Sequence, residues 1–223
     1  MDGEVIAVCG MRFEAAIAQG PGVRAVLPAS LGGPLPPCRG LVSFGFAGAL
    51  DASLRAGDCL LPETVLTPDG AVGVDAAWRA ALLHMLPYAH GGALAGVVQP
   101  VLSAADKSSL RDATGAGAVD MESHLVAHAA RRNGLPFVVL RVVVDTAARG
   151  VPASAVAALG ADGGLSVAAL VRSLAIHPAQ LPALLSLAVC ALAARRSLHA
   201  ARALAGEGFA MPGHFGGGLP SFS

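Results

Sequence analysis

The chain has 223 residues, 54% hydrophobic and only 13% charged, with 15 basic and 15 acidic side chains in balance. That composition excludes disorder by polarity. With no basic cluster beyond Arg131-Arg132 and Arg195-Arg196, it also argues against nucleic acid as a partner.

In chain order, Glu4 to Cys9 reads as a short buried strand, broken by Gly10 before a helix over Phe13 to Gln19 that carries Glu14. A Gly- and Pro-rich loop from Leu31 to Arg39 precedes a strand over Gly40 to Phe44, followed by the glycine-rich run Gly45-Phe46-Ala47-Gly48-Ala49-Leu50. Asp51 and Ser53 suit a capped turn, and Cys59 to Leu61 a further strand. Pro68-Asp69-Gly70 marks a turn, Ala76 to Leu86 a helix containing the only tryptophan, and Gly96 to Leu102 a strand interrupted by Pro100. Ser103 to Asp106 is expected as loop, Lys107 to Asp112 as a short helix, and Asp120 to Arg132 as the clearest middle helix, stopped by Asn133-Gly134.

Phe137 to Val144 is a continuous, mostly β-branched run, the pattern of a strand covered on both faces. Helices are expected over Gly164 to Leu174 and from Pro178 to Ala205. The recurring strand, loop and helix predict an open α/β sheet whose ligands gather at the carboxyl ends of strands. One domain over residues 1–205 is expected, with an irregular glycine-rich tail over residues 206–223.

Within the last helix, Leu181 to Ala194 is apolar and stops at Arg195 and Arg196. It is short for a bilayer span, and packing on the body, on a second subunit or against lipid are all open. The start of the chain has the wrong charge order for a secretion signal, so a cytoplasmic location is expected, with peripheral contact at the inner membrane through this segment as the alternative. The four cysteines, Cys9, Cys38, Cys59 and Cys190, form no CxxC pair and read as free thiols. There is no HExxH, no GxSxG and no complete GxGxxG, which argues against a zinc protease, a serine hydrolase of the familiar form and a dinucleotide enzyme.

Two carboxylates stand out. Asp145 follows eight strand residues directly, at a sheet end where loops open. Arg141 lies four residues before it, which in a regular strand sets both on one face. An arginine inside such a strand needs a carboxylate, an anion or an exit to water, and Asp120 and Glu122 are the carboxylates to expect, with phosphate as the other choice. Glu122 opens its helix, where helix-terminal electrostatics is the plain alternative to a ligand role.

VSFGFAGALDASLRAGD (Val42 to Asp58), VDMES (Val119 to Ser123) and VVLRVVVD (Val138 to Asp145) together resemble the nucleoside phosphorylase superfamily, above all the methylthioadenosine/adenosylhomocysteine nucleosidases and a branch associated with hopanoid biosynthesis. The resemblance implies a three-layer α/β/α fold with a central mixed sheet, no organic cofactor or metal, and a homodimer. It implies removal of adenine from an adenosyl compound with a large apolar 5′ group, adenosylhopane being the substrate proposed for that branch. By the same resemblance Asp145 protonates the base, Glu122 binds the ribose hydroxyls, and Met121 packs on the ribose. Phe46, Ala47 and Gly48 approach the sugar, and the loop from Ser103 through Asp106 to Lys107 contacts adenine, unless Asp106 caps the following helix. Glu14 positions the attacking water, although Gly10-Met-Arg-Phe-Glu14 departs from the usual acidic run and leaves its register open by one residue. Phe46 replaces a small polar residue. Arg12 and Arg141 keep inorganic phosphate open as the nucleophile, and a binder that has lost turnover is a third reading.

Overall fold

The computed structural model describes residues 3–150 and 181–213. The expected helix over Gly164 to Leu174, the first residues of the one from Pro178, and the tail from residue 214 lie outside the described residues. Its elements are β1 (Val5–Val8), α1 (Arg12–Ala18), β2 (Val23–Val26), a 3-10 turn (Pro28–Gly32), β3 (Gly40–Ala49), β4 (Cys59–Leu60), β5 (Thr64–Thr67), β6 (Gly70–Gly73), α2 (Ala76–Met85), β7 (Ala93–Gly96), α3 (Ala104–Thr114), β8 (Ala118–Asp120), α4 (Ser123–Asn133), β9 (Phe137–Asp145), α5 (Leu181–Ala205) and a second 3-10 turn (Glu207–Ala210).

The described strands form one nine-stranded mixed sheet in the order β2-β1-β3-β8-β7-β5-β6, with β9 paired to β3 and β4. β3 is its spine. Its first half pairs in parallel with β1, its last two residues pair antiparallel with β8, and β9 runs parallel along almost all of it. β1 and the first seven residues of β9 are wholly buried, as uninterrupted apolar strands require.

Helices cover both faces. On one, Val42, Phe44, Val138, Leu140 and Val142 meet Ala18 of α1, Trp78 and Leu82 of α2, and Ala194, Leu198, Ala201 and Ala205 of α5. On the other, Leu41, Ala47, Val139 and Val143 meet Val126, Ala127, Ala129 and Ala130 of α4. The expected α/β/α layering with a central mixed sheet is what the chain adopts.

Several boundaries differ from expectation. β3 continues through the glycine run to Ala49, because β9 supplies partners to its end. The strand expected over Gly96 to Leu102 ends at Gly96 and begins at Ala93, and β2, β5, β6 and β8 were not anticipated. Residue 120 closes a strand instead of opening a helix, and α4 starts at Ser123. Within the stretch expected to be irregular, Glu207–Ala210 docks on the body: Phe209 is fully buried and its carbonyl accepts a 2.7 Å hydrogen bond from Trp78 Nε1.

By length and composition α5 is apolar enough to cross a membrane over Leu184–Ala205, but it packs on β9, β4, α1 and α2. Ala194, Leu198, Ala201 and Ala205 face the core, while Leu185, Val189 and Leu192 stand exposed.

Candidate active site

Arg141 is fully buried in the middle of β9, so its charge must be met by protein groups. Nε lies 2.7 Å from Asp120 Oδ2, an ion pair more than an aligned hydrogen bond, and Nη2 lies 3.1 Å from Glu122 Oε2. Nη2 also donates to Ser43 Oγ at 2.7 Å, and Nη1 to the Phe46 carbonyl at 3.2 Å. Ser123 Oγ donates to Asp120 Oδ2 at 2.5 Å, and since a carboxylate can only accept, Ser43 Oγ is the donor in its 2.9 Å bond to Ser123 Oγ. The result is a closed ring, Arg141 to Ser43 to Ser123 to Asp120 and back, with Glu122 held on its rim. Glu122 sits at the N-cap position of α4 but makes no capping bond. Its side chain goes to Arg141, stays 19% exposed, and burial raises its pKa despite the guanidinium.

Glu14 is 1% exposed in the first turn of α1. Oε2 accepts from Met11 N and Oε1 from Phe46 N, each at 2.9 Å. Burial lifts its pKa from 4.5 to about 7, with Arg141 opposing and Glu122 adding to the rise. The carboxylate lies against Gly45, where a Cβ would stand 2.6 Å from Oε1 and where φ is +149°, a conformation that side chains resist. Gly10 does the same for Glu122, whose Oε1 would be 2.6 Å from an added Cβ. Two carboxylates are thus admitted by the absence of two side chains.

A third follows the same rule. Asp145 Oδ1 lies 3.2 Å from where a Cβ at Gly48 would be. The ladder between β3 and β9 slips between Ala47 and Gly48, so Arg141 stands opposite Gly45 and Asp145 opposite Gly48. Those partners are three apart, not four, and the bulge therefore overturns the expectation that Arg141 and Asp145 share one face. Asp145 turns instead to Lys107 of α3, with which it forms a tight ion pair. Burial raises the Asp145 pKa and Lys107 works against that rise. Beside it, Asp145, Thr146, Arg149, Gly150, Pro182, Ser186, Leu187 and Cys190 line a cavity of about 420 Å³.

Of the remaining expected residues, Met121 is 40% exposed next to Glu122, and Ala47 is buried under α4's face of the sheet. Phe46 packs its ring on Phe13 at 5.5 Å and joins the site through its backbone. Ser103 and Asp106 bond each other: Ser103 Oγ accepts from Asp106 N at 3.0 Å and donates to Asp106 Oδ2 at 2.6 Å, capping α3. Arg12 is exposed at the first position of α1.

Residues 14–175, more than half of the chain, match the phosphorylase superfamily. The chain belongs to that superfamily. No curated protein matches it. Among solved structures, it resembles a variant of the Helicobacter pylori 5′-methylthioadenosine/S-adenosylhomocysteine nucleosidase with 5′-methylthioadenosine in the active site, at 17% identity and a TM-score of 0.56 over 66% of this chain and 87% of that one. The corresponding nucleosidase from Colwellia psychrerythraea, in complex with adenine, gives 19% identity and a TM-score of 0.59 over 67% and 85% of the two chains. Futalosine hydrolase of Helicobacter pylori gives 17% and 0.58 over 66% and 87%. At such identities the likeness is one of fold.

For this member of the phosphorylase superfamily, the sequence reading placed Lys107 in a base-contacting segment but did not foresee its pairing with Asp145, and it did not single out Ser43. Lys107 precedes Leu110 by three positions on α3, the spacing of a shared helix face, and that was the available signal. Ser43 breaks an otherwise apolar strand directly opposite Val139 of β9, an oddity of the same kind as Arg141.

Proposed function

We propose that this protein is a purine nucleosidase, which uses water to cleave the N-glycosidic bond of a 5′-substituted adenosyl compound. The observation that carries the reading is the arrangement of carboxylates along β3: Glu14 at Gly45 and Asp145 at Gly48, separated by three residues or roughly 10 Å of strand. That span suits a sugar flanked by a base-side acid and a water-side carboxylate. Membership of the phosphorylase superfamily and the nucleosidase names of its structural neighbours support it.

In this proposal the purine occupies the cavity beside Asp145, which protonates it as electrons move into the ring. Glu122, aimed by Arg141, accepts the ribose hydroxyls, and Met121 covers the ribose. Glu14 orients the water and, with Glu122, favours the positive charge that develops on the sugar. Backbone groups of Phe46, Ala47 and Gly48 border the sugar, and the capped first turn of α3, from Ser103 to Asp106, borders the base. The sequence expectation of a loop there is corrected by the Ser103 cap, which starts the helix at Ala104. Because each side-chain nitrogen of Arg141 already meets a protein acceptor, hydrolysis is favoured over phosphorolysis, in which Arg12 would have to serve the anion.

The low charge content and the exposed Leu185, Val189 and Leu192 support a large apolar 5′ group, adenosylhopane being the compound to try first. A cytoplasmic protein that takes such a substrate from the inner membrane, or a homodimer, would use the same face.

The test is adenine release from adenosylhopane, with adenosine and methylthioadenosine beside it, each with and without inorganic phosphate. Phosphate-independent release is expected. Strict phosphate dependence, with a ribose 1-phosphate end, would make the protein a phosphorylase. Tight binding without product, unchanged by Asp145→Asn, would make it a binder.

A further inference from the structure

The ammonium of Lys107 is 1% exposed and faces three oxygen acceptors, as many as it has protons. One is Asp145 Oδ2, and the others are the Thr146 carbonyl at 2.9 Å and the Arg149 carbonyl at 3.0 Å. Lys107 rides on the first turn of α3, which the Ser103 cap anchors. A fixed helix thus holds, through one cation, both the carboxylate and the chain that follows it.

The other groups around Asp145 do not share this work. β3 and β8 present Gly48 and Val119, without charge. Arg149 bonds Ser186 on α5, and Cys190 of α5 lines the same cavity. Among the described residues, Lys107 is the one cation in contact with the Asp145 carboxylate.

We propose that Lys107 is a positioning residue for Asp145: its ammonium fixes the carboxylate and the segment Thr146 to Arg149, and sets how readily Asp145 releases a proton. The inference deepens the proposed reaction and rests on Asp145 as the acid that protonates the base. Burial alone makes Asp145 a weaker acid than a free carboxyl group. The adjacent ammonium makes it a stronger one, so that the proton is given up as the glycosidic bond breaks.

The experiment is a carboxyl-carbon NMR titration of the full chain without ligand, with Asp145→Asn identifying the resonance. In Lys107→Met the Asp145 midpoint should rise by about one unit or more, and in Lys107→Arg, which keeps the charge, it should stay within about half a unit of the parent. An unmoved midpoint in folded Lys107→Met overturns the proposal. If that variant does not fold, Lys107→Gln replaces it, and failure of both neutral variants to fold also overturns it, since Lys107 would then serve the fold. In parallel, the basic limb of the kcat profile should move to higher pH in Lys107→Met while the plateau falls. Normal turnover by Asp145→Asn would overturn the acid assignment itself. Loss of turnover in that variant beside an unmoved Lys107→Met midpoint would overturn only the inference about Lys107.

Discussion

Glu14 is buried to 1% exposure and titrates near 7, so at neutral pH the protonated and ionised forms are both populated. Its pKa is higher in the folded chain than in the unfolded one, so between about 4.5 and 7 the folded state holds the proton more tightly and Glu14 adds stability as pH falls through that window. Above 7 that contribution is gone. The stability difference between the parent and Glu14→Gln should therefore shift in favour of the parent by on the order of 2–3 kcal/mol from pH 8 to pH 5, read by urea unfolding at each pH. A difference that does not change with pH would mean that Glu14 ionises normally. If Glu14 orients the water as proposed, turnover should show an acid limb near 7, because a protonated carboxyl cannot accept from the water in the same way.

Arg141 answers two carboxylates at once. Arg141→Met would leave buried Asp120 and half-buried Glu122 without their cation, at a cost of about 3–5 kcal/mol. The double change Arg141→Met, Asp120→Asn should recover part of that loss in a double-mutant cycle. Recovery would show that the penalty comes from the stranded carboxylate and not from lost packing.

At the scale of elements, the placement of α3 governs what the proposed reaction uses as its acid, through the ion pair of Lys107 with Asp145. Ser103→Ala should cost about 1 kcal/mol by removing the cap, measured by thermal unfolding. Gly45→Ala has a larger expected effect. It meets both a positive φ and the Glu14 carboxylate, so loss of about 1–3 kcal/mol and displacement of Glu14 should accompany each other.

The same elements show how much was legible beforehand. β1 and β9 could be read because every residue between their ends is apolar or anchors the site, and α2 because its apolar spacing follows Asp75, whose side chain accepts from Trp78 N at 2.8 Å. β2 (VRAV), β7 (ALAG) and β8 (AVD) are short, with small or polar residues, and exist because neighbours pair with them. Asp145, Glu122 and Arg141 stand out in the sequence as candidates by position and chemistry, and the pairing of Arg141 with Asp120 and Glu122 is one the sequence reading named. The Asp145 orientation was not legible, since the bulge opposite Gly48 arises only when two strands of unequal local length are laid side by side.

For the whole molecule, α5 has two characters along its length. Its inward residues tie it to the sheet, whereas Leu185, Val189 and Leu192 support nothing in the described protein. Replacing those three by Gln should leave the unfolding free energy within about 0.5 kcal/mol per site, whereas Leu198→Ala should cost about 2–5 kcal/mol. A large loss from the exposed trio would mean that this face is covered by another surface in solution, and sedimentation of the same variants would show it.

Trp78, the only indole in the chain, is 1% exposed, and its N–H is bound to the carbonyl of Phe209. Phe209 in turn packs edge-on to Phe44 of β3 and lies beneath the guanidinium of Arg202. The protein therefore carries an intrinsic optical reporter wired to the segment that follows α5. Undocking of that segment would let water reach the indole and redden its emission, even while the sheet stays intact. Every variant above can be screened in this way for local release at the end of α5, without any label attached.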